Sequence, residues 1–177
     1  MDRKNTIMTD SSISKDDEEI RVALYANIGF FIQISQMLEY NLRKLICFVK
    51  SIKEIENSEI TKKRVDEICK KYDEYYTKTY TNKSTLGKLI NEVKNLSQFK
   101  PEIIKILKEI NDYRIVVVHV LFQNNIHNNL LANSDNVLEY IKKRLIPTIN
   151  DVENINHFVL NIIGLYQEDL HKYKKVK

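Results

Sequence analysis

Glycine and proline are scarce in this chain, with 3 and 2 among its 177 residues. So few turn-formers exclude a sandwich or barrel built from many short strands. Tryptophan is absent, and the two cysteines, Cys47 and Cys69, stand alone, without a CxxC or a Cys/His spacing. That excludes a disulfide framework or a zinc centre as the organising feature, and the thiols are expected to be small core residues of a reduced chain. No stretch reaches the roughly 18 apolar residues that span a bilayer, and the opening MDRKNTIMTDSSISKDDEE has no apolar signal-like segment. A cytoplasmic protein with no membrane partner is expected. The chain also lacks a GxGxxG run, a P-loop and a nucleophile elbow, so no nucleotide cofactor, other cofactor or metal is expected.

What the sequence does have is Leu, Ile, Lys and Glu at helical spacing, which makes the class all-α. The length suits one domain with a core of its own. A net charge of +4 is mildly basic. It permits contact with a polyanion but falls short of a dedicated nucleic-acid-binding composition. Residues 1–15 are polar and aperiodic and are expected to form a disordered tail. A single domain is expected over 16–173, followed by a basic tail at 174–177.

The acidic run Asp16, Asp17, Glu18 and Glu19 marks the start of a long first helix. Its seam is Leu24, Ile28, Phe31, Ser35, Leu38, Leu42, Leu45, Val49 and Ile52. A second line, Ile20, Ala23, Phe30, Ile34, Met37 and Phe48, widens the apolar face, as burial in a multi-helix bundle requires. Gly29 sits mid-helix, where close approach of another helix would account for it. A second helix is expected over Ile60–Tyr80; its tyrosines, set among lysines in KKYDEYYTKTYTNK, suit either base stacking or packing with their hydroxyls at the rim. Ser84 or Thr85 caps a short third helix carrying Leu86, Leu89, Ile90 and Val93. Pro101 opens a central helix running to Gln123. An Asn-rich loop follows, then a last helix capped by Ser134 or Asp135 and kinked at Pro147. The expected architecture is an up-and-down bundle of about five helices, with one long N-terminal helix and a kinked C-terminal one.

The central stretch, PEIIKILKEINDYRIVVVHVLFQ, carries Arg114 and His119 at the edge of and inside an apolar run. Charged or titratable groups are costly there unless paired or used. IVVVHVLF also suits a buried strand, but Ile103, Ile104, Leu107 and Ile110 continue a helical face into it. A helix apolar on all sides belongs at the centre of a bundle or across a dimer interface. On a regular α-helix, Arg114 and His119 lie about 140° apart and about 7.5 Å along the axis. They can flank one groove, or meet their own copies across a two-fold axis. An imidazole that moves a proton and a guanidinium that forks onto a phosphate suit RNA cleavage by a neighbouring 2′-hydroxyl. Asn111 and Asp112 are candidates to orient the pair or bind phosphate. Glu39, spaced for a surface pair with Arg43, would approach the histidine if it turned inward. Elsewhere, Glu153 and His157, Glu168 and His171, and the isolated His127 do not make a metal site.

Arg114-Ile-Val-Val-Val-His119 is an R-x4-H arrangement near the end of a helix in an all-α chain, preceded by TLGKLINEVK. With GFFIQISQMLEYNLRKLI in the first helix, it resembles the HEPN superfamily over most of residues 18–172. The resemblance implies a small helical bundle acting as a metal-independent endoribonuclease, with catalytic Arg114 and His119 and an RNA substrate. It also implies a homodimer in a toxin–antitoxin or phage-defence setting, often with a nucleotidyltransferase-like antitoxin. The family usually has a polar residue directly after the arginine, where this chain has Ile115. Relatives with altered motifs serve as non-catalytic binding or regulatory modules, and that is the alternative reading. In it, Arg114 pairs with a carboxylate and His119 with a backbone carbonyl.

Overall fold

The computed structural model describes residues 15–81, 85–121, 123 and 129–175. Among them the chain is helical and contains no strand, so the central stretch is helix. Helix α1 (Lys15–Glu56) is followed by α2 (Lys62–Thr81), α3 (Leu86–Val93) and α4 (Pro101–Ile115), the last extended by a π-helical turn at Val116–Val120. The C-terminal helix comprises α5 (Ser134–Tyr140), a second π turn at Ile141–Leu145 and α6 (Ile146–Lys174). The expected tail at 1–15 falls outside the described residues apart from Lys15, as do 176–177 of the basic end and His127 in the Asn-rich stretch.

Helix α1 is the spine because its seam is buried throughout, from Leu24 to Ile52, with Leu24, Phe31, Leu38, Leu42 and Leu45 fully enclosed. The second line is only partly inward: Ile34 is buried, whereas Phe30 and Met37 are exposed. Side-chain contacts fix the direction of each neighbour. Ser134 Oγ donates to Asp17, Asn41 meets Asn156, and Tyr173 Oη donates to Glu56, so the C-terminal helix runs parallel to α1. Phe99 packs edge-on against Phe158, while the Tyr113 hydroxyl donates to that of Tyr140 at 2.7 Å, which makes α4 antiparallel to both. Among the described residues the first and last helices therefore point the same way and α4 runs against them, in keeping with the expected up-and-down order.

Buried polar groups set the register between α1 and α6. Asn41 Nδ2 donates to Asn156 Oδ1 at 3.1 Å, and Asn156 Nδ2 donates to the Ile34 carbonyl at 3.2 Å. Both residues lie in the core, where an unpaired amide would be costly. The two thiols are free and buried.

Local features differ from expectation at several points. Among the described residues, a Cβ built on Gly29 meets nothing within 4 Å, so no described helix approaches there. The cap of α5 is Asn133, whose side chain accepts from the Asp135 N–H at 2.7 Å, and neither Ser134 nor Asp135 takes that role. Ser134 is instead occupied with Asp17. At Pro147, by contrast, the last helix departs from regular α geometry without ending, as expected. The π turn runs directly into α6 and ends two residues before the proline, and Thr148 Oγ1 donates to the Arg144 carbonyl at 2.8 Å.

Candidate functional site

The α3–α4 hairpin and the π turn build the candidate site. Helix α3 follows Thr85, which is extended at the cap position but makes no side-chain capping bond, while Ser84 lies outside the described residues; the helix buries Leu86, Leu89, Ile90 and Val93. This leaves Gly87 facing α4, where a Cβ would lie 3.8 Å from the Asn111 amide nitrogen. Pro101 occupies the first turn of α4, and Leu107, Ile110 and Val117 anchor that helix in the core. Tyr113 locks it in rotation. Its ring meets Phe31 edge to face at 5.2 Å and stacks on Tyr140 at 6.4 Å. Burial, and then the hydrogen bond it donates to Tyr140, raise the Tyr113 phenol well above the usual range.

Beyond Ile115 the helix widens. The Leu121 N–H reaches the Val116 carbonyl, five residues back, at 2.8 Å. A π turn takes more residues per turn than an α turn, so it narrows the angular gap that would part residues five apart on a regular helix. Arg114 and His119 consequently line one open cleft of about 290 Å³, together with Asn111, Gly87, Ile115 and Val118. The imidazole is exposed rather than enclosed by aliphatic side chains. Asp112 is exposed on α4 outside this cleft.

Glu39 turns inward, but toward the arginine. Its Oε1 accepts from Arg114 Nη1 at 2.5 Å, and its Oε2 lies 3.6 Å from Arg43 Nη2. The carboxylate side chain is 11% exposed, against 24% for Arg114 and 12% for Arg43, so the charges are largely withdrawn from water and offset one another. The contact spans 75 residues of sequence. The signal for it was a lone carboxylate between the buried Leu38 and Leu42. Gly87 was not anticipated at all; only the absence of a side chain on the second residue of α3 points to it.

Ile115 and Val118, which line the cleft, are 49% and 44% exposed, and Val116 between them in sequence is 42% exposed. The helix is therefore not apolar at the centre of the bundle. It buries one side and presents the other. Among the described residues no group of three or more His, Cys, Asp or Glu is arranged to hold a metal ion, and no helix is long and apolar enough to cross a membrane.

Fold and site together define an all-α bundle with an Arg/His cleft at a π turn. Comparison with protein-family profiles, curated proteins and solved structures finds no match.

Proposed function

We propose that this chain is a metal-independent endoribonuclease of HEPN type, acting as a homodimer on RNA. The observation that carries this reading is that Arg114 and His119 line one open cleft. In the proposed reaction the substrate's 2′-oxygen attacks the adjacent phosphorus, and the bond to the 5′-oxygen breaks. One imidazole takes the 2′-hydroxyl proton, and the histidine of the second copy gives a proton to the departing 5′-oxygen. The products are a 2′,3′-cyclic phosphate and a 5′-hydroxyl. Arg114 clamps the phosphate. Glu39 occupies only Nη1 of a group with five N–H donors, so the rest serve the developing negative charge. Asn111, beside Gly87 in the cleft, is the second phosphate contact. The exposed Ile115, Val116 and Val118 are the surface on which the second copy brings its own pair to the site. A toxin–antitoxin or phage-defence role, restrained by a nucleotidyltransferase-like antitoxin, follows from the same reading, as does a cytoplasmic location.

The test is cleavage of RNA in EDTA by the wild type, Arg114→Ala and His119→Ala, each checked for folding and oligomeric state. Loss of cleavage in both folded variants is expected; cleavage unaffected by either change overturns the mechanism. The Glu39–Arg114 pair favours a second reading, a non-catalytic helical dimerisation module in which the pair serves structure. Its mark is loss of dimerisation in Arg114→Ala with no RNA cleavage by the wild type.

A further inference from the structure

A second cavity, of about 420 Å³, lies between α1, α2 and the C-terminal end of α6. It shares no lining residue with the Arg114/His119 cleft. Its sides are aromatic. Tyr40 and Phe48 come from α1, and Tyr72 and Tyr76 from α2, with Tyr40 and Tyr76 meeting edge to face at 5.6 Å. Cys47, Cys69 and Leu170, all buried, close the inner end. Desolvation there pushes the Cys47 thiol up to about 11.

The charges at the mouth are Lys44, Lys174 and Asp73, with His171 beside them. Among the described residues neither lysine enters an ion pair; Lys44 Nζ instead stands 5.9 Å from the centre of the Phe48 ring. Two lysines against one aspartate leave a single net positive charge over an aromatic slot. The volume falls within the range of small-molecule sites, which combine apolar walls with a few orienting polar groups. Every wall is the side of a helix, whose backbone N–H groups are spent in the helical ladder. The cavity therefore has no backbone cradle for a phosphate.

We propose that this cavity binds a small planar aromatic carboxylate, its ring between the tyrosines and Phe48 and its charge at Lys44 and Lys174. Ring faces contribute stacking area, and the lysines fix which end points outward. The site is independent of the cleavage reading.

The experiment is calorimetric titration of the full chain with naphthoate, with naphthamide as the neutral match and amide NMR to place the site. Saturable one-to-one binding of naphthoate is expected, with shifts centred on Ser51, Cys69 and Leu170. Naphthamide should bind about tenfold more weakly, the loss expected for about 1.4 kcal/mol. Lys44→Gln and Lys174→Gln lie at the mouth and leave the core intact; each should weaken naphthoate several-fold and leave naphthamide unchanged. Cys69→Trp should fill the slot and abolish both. Should that variant fail to fold, the two lysine variants still decide. Absence of saturable binding, equal affinity for the amide, indifference to both lysines, or shifts spread away from this cavity would each overturn the proposal.

Discussion

Removing the Glu39 carboxylate is the sharpest perturbation of the site. Glu39→Ala leaves Arg114 and Arg43 side by side, at 24% and 12% exposure, with no anion between them. Breaking a buried pair typically costs about 3–5 kcal/mol, and the partial exposure of Arg114 places this case nearer about 2–4 kcal/mol. For a chain of this size each kcal/mol moves Tm by about 2–4 °C, so the melting point should fall by about 5–15 °C. Glu39→Gln keeps the shape and one acceptor oxygen and should lose about half as much. Urea unfolding of Glu39→Ala, Arg114→Ala and the double variant isolates the coupling, expected to exceed about 1 kcal/mol because the groups are in direct contact. In the cleavage assay Glu39→Ala should lower activity more than Glu39→Gln, because only the latter still gives Arg114 an acceptor. A stability change below about 0.5 kcal/mol in Glu39→Ala, or no coupling to Arg114, would refute the argument that this carboxylate holds the arginine in place.

Three further outcomes follow from the packing. Asn156→Ala removes the acceptor of Asn41 and the donor to Ile34, and should destabilise by about 1–3 kcal/mol in chemical unfolding, whereas replacing the neighbouring exposed His157 with Ala should change little. Gly29→Ala and Gly164→Ala meet open space at negative φ, and each should raise stability by about 1 kcal/mol, read as additive increases in Tm. Burial raises the Cys47 thiol from 9.0 to about 11. Between those values the unfolded chain has released a proton that the folded chain still holds, so stability falls as pH rises, by about 1 kcal/mol per pH unit. Cys47→Ser should reduce that slope over the lower part of the alkaline range, where the Cys69 thiol, also raised by burial, still contributes. The buried tyrosines Tyr113 and Tyr140, also raised by burial, continue the loss at higher pH in both proteins.

The secondary structure was legible because it depends on spacing within one segment. Leu24 to Ile52 alternate by threes and fours, and each is buried; Leu86, Leu89, Ile90 and Val93 behave the same way. Pro101 starts α4 because its missing N–H falls where no ladder bond is needed. Less legible were Phe30 and Met37, which satisfy the periodicity of an apolar face yet are exposed. The α5 cap is Asn133, and Ser134 is engaged instead by Asp17, more than a hundred residues away.

The sequence by itself determined that the chain is helical, where most helices begin, which faces turn inward, and that Arg114 and His119 share one helical stretch. Only the tertiary structure decided that the two line the same cleft, that Glu39 faces the arginine rather than the histidine, and that Asn111 belongs to the site while Asp112 does not. Periodicity is a property of a few consecutive turns. The π turn beside the pair and the ion pair that holds Arg114 across the bundle leave no repeat in the local pattern.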